Sequence, residues 1–351
     1  MPGRSVLQRT SHRFLRFLLW FVIVVVALEI GLRPFGYGHY VIYRPDERLL
    51  WLPLPGHGVT EANHKPITIS PDGFRYRVSL EPKKDDQVRI FALGDSVTMG
   101  WGVDDDSTYS ADLERMLNAG CAKRQFQVVN AGVNAYPNSL VIERMKKVIE
   151  DFQPDIVVLD YSGNPRVEGL VDLQGTAREK FLDRVRLKSW VRRSAIYNFV
   201  VEDLLRYVVY YRLRKVLVAG SLDTTLSKQE LDVDKFNERL NDALQYCQSH
   251  HVRMIMLVTG TNGEQTPEHP FQKAMLDFGQ THNVPVVNMM DVWKSMDQGQ
   301  IFQDHSHPSP MGHETIAKQL FTTIRGLGSY CSSEPQMSTK NESASQAGRS
   351  N

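Results

Sequence analysis

Cysteine is scarce in this 351-residue chain: Cys121, Cys247 and Cys331 lie far apart, and none forms a C-x-x-C pair. That spacing argues against a zinc ribbon or a thioredoxin-like motif and allows at most one disulfide. An excess of one charge is also lacking. Lys and Arg number 41 against 40 Asp and Glu, a formal net charge of +1, so no global field favours a nucleic-acid partner. There is no internal repeat. With 42% hydrophobic residues, the chain suits one sizeable core with extensions, on a prior of roughly 100–200 residues per domain.

A cleavage signal is missing from the N-terminal end. The run Phe17 to Leu28 is uncharged and follows Arg4, Arg9, Arg13 and Arg16, but no A-x-A site comes after it. Alone, the run is shorter than the roughly 20 residues that span a bilayer. Snorkelling of Arg16, with Glu29 near the far interface, extends the span over residues 14–33. The expectation is an uncleaved transmembrane anchor with residues 1–13 in the cytoplasm and the remainder exported, into the periplasm of a bacterial cell. A signal-peptide core and a buried soluble helix are the alternatives.

Residues 34–86 lack sustained periodicity and read as an irregular lead-in with at most a short hairpin; "ISPDGFRYR" within them has the composition of a tight turn. A regular alternation then begins. Apolar blocks at Val88–Leu93, Phe126–Asn130, Ile156–Leu159, Met254–Val258 and Val284–Asn288 read as strands buried on both faces. Between and after them, Tyr109–Asn118, Ser139–Glu150, Lys235–His250, Pro267–His282 and His313–Arg325 have helical period. Strands alternating with helices predict a doubly wound parallel sheet with helices on both faces. Residues 165–228 carry no convincing strand and read as a basic helical insertion. It would pack its apolar face on the domain, cap the site, or rest on anionic headgroups. Residues 328–351 are rich in Ser, Asn and Gln and are expected to be disordered.

Chemistry concentrates at the strand ends. In "RIFALGDSVTMG" a buried strand breaks at Gly94 and leads into Ser96, placing a candidate nucleophile where open α/β sheets present functional groups. A serine needs a base to take its proton and donors to receive the developing oxyanion. "FQDHSHPSPMGH" offers Asp304 and His307, three apart, as an orienting carboxylate and a base. Ser96 does not lie in a G-x-S-x-G elbow. A metal loop made of Asp304, His305, His307 and His313 is the rival, although no H-E-x-x-H helix accompanies it.

"GDSVTMG" resembles the first block of the GDSL, or SGNH, hydrolase family, and "DHSHP" resembles its last. "VVNAGVNAY" and "LDYSGNP" stand where the two middle blocks belong. The match covers residues 87–327 and is similar to the membrane-anchored bacterial type. The resemblance implies an SGNH hydrolase fold, a flavodoxin-like three-layer α/β/α sandwich with a parallel sheet. It also implies a Ser96–His307–Asp304 triad and oxyanion donors from the Ser96 and Gly132 backbones and the Asn164 side chain. The third block departs from the usual G-x-N-D, having Ser162 for the Gly and Pro165 for the Asp. No metal or organic cofactor is called for.

The resulting expectation is a membrane-anchored serine esterase acting on acyl, chiefly acetyl, esters of exported or cell-surface carbohydrate. An O-acyltransferase would use the same residues with a sugar hydroxyl in place of water. Lysophospholipid or thioester cleavage is a substrate-level alternative, and a non-enzymatic polysaccharide-binding module is the alternative of another class.

Overall fold

The computed structural model describes residues 6–38, 43–55, 58–61, 65–121, 124–160, 165–205, 232–264, 266–267, 269–328 and 330–331. Helix α1 (Val6–Leu32) is followed by two antiparallel pairs, β1 (Tyr43–Asp46) with β2 (Leu50–Pro53), and β3 (Gly58–Glu61) with β4 (Lys65–Thr68). The lead-in therefore holds two hairpins where its composition suggested one at most. Aperiodic sequence hides such short strands, because their pairing is decided by what they pack on. Leu49, Leu50, Trp51 and Leu52 are buried in the main core.

The central sheet follows: β5 (Gln87–Leu93), a four-residue helix α2 (Ser96–Met99), α3 (Tyr109–Gly120), β6 (Gln125–Asn130), α4 (Asn138–Phe152) and β7 (Ile156–Asp160). A 3-10 segment (Pro165–Asp172) and helix α5 (Gly175–Val191) lead to a short turn (Ala195–Tyr197) and a π-helical stretch (Asn198–Leu205). After them come α6 (Val233–Ser249), β8 (Arg253–Val258), α7 (Pro270–His282), β9 (Val286–Asn288) and, after two short helical segments, α8 (Pro310–Gly326). The five strands run parallel in the order β6-β5-β7-β8-β9. Alternation along β5 sends Phe91 and Leu93 into one core, and Val88, Ile90 and Ala92 into the other. Both faces are therefore covered, as a three-layer α/β/α arrangement requires. The order reverses between β5 and β7, so a crevice opens between these two strands at the carboxyl edge of the sheet.

The end of α1 is tied to the helical insertion. Glu29 accepts hydrogen bonds from the Ala195 and Ile196 N–H groups at 2.8 and 3.1 Å and from Ser194 Oγ at 2.9 Å. Arg33 donates to the same carboxylate at 2.8 Å. Tyr37 Oη donates to Asp203 at 2.7 Å. The stretch His12–Phe35 is long and apolar enough to cross a membrane, and none of its most apolar window is buried in the protein. The insertion is helical over residues 165–205; the rest of its expected span, to 228, lies outside the described residues.

The expected disorder of residues 328–351 does not begin at its first residue. Cys331 forms a disulfide with Cys121 across 210 positions, and Tyr330 packs on the second core. Residues 332–351 are outside the description. Cys247 is the remaining thiol, buried, its pKa pushed up to about 12 by desolvation.

Candidate active site

Ser96 sits one residue beyond the turn that ends β5. Asp95 caps α2, its carboxylate accepting the Val97 N–H at 2.9 Å. The Ser96 N–H opens the helix, where no intrahelical carbonyl can reach it. Gly94 permits the turn: a Cβ there would lie 2.2 Å from Thr98 Oγ1 and 2.8 Å from Asp160 Cβ. Thr98 in turn donates to buried Asp160 at 2.8 Å and pairs with the Tyr109 hydroxyl at the same distance. The loop is thus held from beneath by a polar network.

Arg75, in the "DGFR" turn, secures the loop from the side. Its guanidinium is almost fully buried and donates to the carbonyls of Met99, Gly100 and Val103 at 2.7, 2.7 and 2.8 Å, with Nε on Asp105 at 2.8 Å. A planar five-donor group suits such a cluster of acceptors; a lysine would not.

The loop carrying the base follows β9. Asp304 Oδ1 accepts the N–H groups of Ser306 and His307 at 2.9 and 2.8 Å, and Oδ2 lies 2.8 Å from His307 Nδ1. His307 Nε2 is 3.0 Å from Ser96 Oγ. Burial works to raise the Asp304 pKa, but the His307 ring hydrogen bond and the two backbone donors outweigh it and hold the carboxyl below its ordinary value of 3.8. An ionised carboxylate only accepts, so Nδ1 carries the hydrogen and Nε2 is left bare towards the serine hydroxyl. Gln303 braces this loop, its Nε2 donating to the Trp101 and Pro308 carbonyls. Trp101 lies with its ring centroid 5.9 Å from that of His307.

The oxyanion donors expected from the sequence fare differently. The Gly132 N–H is already given to Asn130 Oδ1 at 3.0 Å, and the residue is buried against the loop behind Ser96. Its role is steric: a Cβ would come within 2.3 Å of Met99 N and 2.8 Å of Thr98 C. The bond to Asn130 engages the N–H that the resemblance offered as an oxyanion donor. Three residues on, Ala135 is exposed in the cleft with φ 63°, and its N–H makes no hydrogen bond to another described residue. A left-handed alanine is uncommon, and no residue type announced it. Asn164 and Tyr161 lie outside the described residues. Tyr136 is buried, its hydroxyl donating to the Leu49 and Trp51 carbonyls.

Because the neighbour that meets a Gly132 Cβ is backbone, it cannot rotate away. Gly132→Ala is expected to cost about 3 kcal/mol, a fall in Tm of roughly 6–12 °C for a domain of this size. Calorimetry decides it, and a change within error would mean that the loop slides freely.

The rival metal set does not assemble. His313 is fully buried on α8, stacked on Tyr109, its Nδ1 taken up by the Tyr109 N–H at 3.2 Å. Burial, then the charges of Arg75 and His307, push its pKa down to about 3. The unfolded chain binds this proton below its ordinary 6.5 while the native state does not. Its contribution to stability is therefore full above pH 6.5 and is lost progressively as pH falls towards 3. Urea unfolding between pH 7 and 4 should show this loss, and His313→Gln should flatten the slope.

An α/β sheet with Ser96, His307 and Asp304 in one hydrogen-bonded row at its carboxyl edge defines the class: a hydrolase-like enzyme with the parts of an activated serine. Residues 92–315 match the model of the GDSL-like lipase/acylhydrolase family. The chain belongs to that family and is an ester-bond hydrolase. No curated protein matches the sequence. Among solved structures it is similar to a lipase/acylhydrolase from Enterococcus faecalis, at 18% identity over 68% of this chain and 96% of that one, TM-score 0.44. The psychrotrophic esterase EstA from Pseudoalteromonas sp. is similar at 13% identity over 69% and 98%, TM-score 0.42. An acetyl xylan esterase, AlAXEase, is similar at 13% over 68% and 100%, TM-score 0.44.

Proposed function

We propose that this hydrolase is a membrane-anchored serine esterase that removes small acyl groups, chiefly acetyl, from exported or cell-surface carbohydrate. The observation that carries the reading is the unbroken path from Asp304 through His307 to Ser96 Oγ, at 2.8 and 3.0 Å. Ser96 Oγ attacks the ester carbonyl while His307 Nε2 takes its proton. The tetrahedral oxyanion receives the N–H groups of Ser96 and Ala135, with the Asn164 amide as third donor. Collapse expels the alcohol, which leaves with the proton held on His307. Water then repeats the sequence on the acyl-Ser96 ester, releasing the carboxylic acid and free serine.

Two features support placement outside the cytoplasm. The Cys121–Cys331 disulfide suits an oxidising compartment. Helix α1, with its basic N-terminal flank, suits an anchor whose first residues face the cytoplasm. The cleft also suits a sugar, since Trp101 and Tyr43 line it with aromatic rings.

Labelling with a fluorophosphonate followed by peptide mapping tests the nucleophile. Modification of Ser96, lost on prior heating of the protein, is the expected result; modification elsewhere would sink the assignment. Release of p-nitrophenol from the acetyl ester, measured with and without an oligosaccharide acceptor, separates hydrolysis from acyl transfer.

A further inference from the structure

Outside α1, the exposed large apolar side chains among the described residues are not scattered over the surface. Apart from Val78 and Met311, they are Phe35, just past the end of α1, and Leu187, Trp190, Phe199, Leu204 and Leu205 of the insertion. A single exposed apolar residue is ordinary, whereas several gathered in one place mark a surface that meets something. Trp190 is 71% exposed and Leu187 62%, an unfavourable area to leave in water.

These residues are held at the point where α1 ends. Glu29 accepts from Ser194, Ala195 and Ile196, and Arg33 donates to the Arg193 carbonyl at 3.3 Å. Tyr37 donates to Asp203 and packs edge-on against Phe199, ring centroids 5.4 Å apart. Trp190 precedes Arg193 by three residues, and Leu187 precedes Trp190 by three, about 4.5 Å of helical rise each time. Leu204 follows Asp203 directly. The face of α5 involved is not the one that walls the cleft. Phe181, Val185 and Ser189 line the cleft, and at about 100° per residue Leu187 stands about 160° around the axis from Val185.

Lipid is the occupant that this position selects. The most apolar window of α1 is not buried by protein at all, so a bilayer around α1 touches it directly and ends near Glu29 and Arg33, level with the insertion. That is the depth at which an amphipathic indole ring is favoured. Residues 184–193 include five Arg and Lys and no Asp or Glu. Their summed field attracts an anionic membrane surface and needs no vacant donor to do so.

We propose that the end of α5 and the stretch after it form a membrane-docking surface, in which Leu187, Trp190, Phe199, Leu204 and Leu205, with Phe35, sink into the headgroup and acyl boundary of the bilayer that α1 spans. The proposal rests on the anchor reading of α1. It holds the catalytic domain against the membrane in one orientation, with a wall of the cleft as the docking element, where an anchor alone would leave the domain free to swing.

The test uses the full chain in vesicles of phosphatidylethanolamine and phosphatidylglycerol, with a nitrobenzoxadiazole fluorophore on an added thiol and a nitroxide high on the acyl chains of part of the lipid as quencher. Cys121 and Cys331 are bonded to each other and Cys247 is buried, so the added thiol takes the label. Trp190→Cys and Leu204→Cys report on the docking surface, and Val24→Cys reports on α1. Thr322→Cys, exposed on α8, is the control, because Ile316 and Leu320 of α8 pack in the core across the sheet from the one that holds Leu182 of α5. The labels at 190 and 204 should lose about half or more of their emission, as side chains roughly 5–10 Å deep in the boundary would, while the label at 322 keeps its own. Should Trp190→Cys fail to fold, Leu187→Cys reads the same face. Quenching at 24 without quenching at 190 and 204 would overturn the docking surface and leave the anchor standing. Absence of quenching at 24 would remove the anchor and overturn both. Thiol crosslinking of Trp190→Cys into dimers, with no quenching at 190, would assign the face to a second copy of the chain and overturn the proposal as well.

Discussion

Ser96→Ala is expected to lower kcat for p-nitrophenyl acetate by about 10⁵- to 10⁶-fold, because a group acting within a hydrogen-bonded triad takes the others' contribution with it when removed. His307 would keep its bond to Asp304 at 2.8 Å but have no hydroxyl to deprotonate. What remains is the acceleration from the oxyanion donors acting on water, on the order of 10³–10⁴ over the uncatalysed reaction. Stability should barely change, since the serine Oγ makes its one side-chain hydrogen bond to His307 at a partly open cleft. Steady-state kinetics on protein purified away from host esterases gives the answer. Retention of about 1% of the wild-type kcat would exclude Ser96 as the attacking group, for no other described serine or threonine stands within hydrogen-bond distance of His307 Nε2.

Asp304→Asn should lower kcat by about 10⁴-fold with little change in KM. The argument is one of proton placement. Asp304 Oδ1 faces two N–H donors and Oδ2 faces His307 Nδ1. An asparagine that keeps its oxygen on the two backbone donors must turn its NH₂ towards the ring. Nδ1 then becomes the acceptor and the ring hydrogen moves to Nε2, where it blocks removal of the Ser96 proton. The variant should remain folded and should regain no activity at higher pH, because the fault is a tautomer and not a titration. The same carboxylate also links stability to pH. The Asp304 pKa is depressed in the folded protein, so its stabilising contacts are fully present above the ordinary 3.8 and are lost as pH falls through the lower folded value. A pH–rate profile of Asp304→Asn that rises to wild-type kcat at alkaline pH would refute the tautomer account.

The sheet was legible in the sequence because strands buried on both faces must be apolar at every position. The blocks 88–93, 126–130, 156–159 and 254–258 accordingly fall within one or two residues of β5, β6, β7 and β8. The last strand was placed two residues early, at Val284 instead of Val286, since Val284 and Pro285 extend the apolar run ahead of the first paired residue. The five helices α3, α4, α6, α7 and α8 that flank the sheet were visible through their period. The paired strands of the lead-in were not, because β1 to β4 are four residues each and take their pairing from the surfaces they cover.

Sequence alone determined the layered α/β class, the apolar N-terminal helix, and the three residue types able to activate a serine, because each depends on local pattern or local chemistry. Tertiary structure decided what depends on distances across the chain. It joined Cys121 to Cys331 and left Cys247 buried. It set Arg75 against three carbonyls some 25 residues away and engaged His313 with the Tyr109 N–H. Above all it gave the Gly132 N–H to Asn130 and turned Ala135 into the cleft. A glycine shows in a sequence that space or backbone freedom is needed; whether its N–H is spare is fixed only by which acceptor the folded chain brings to it.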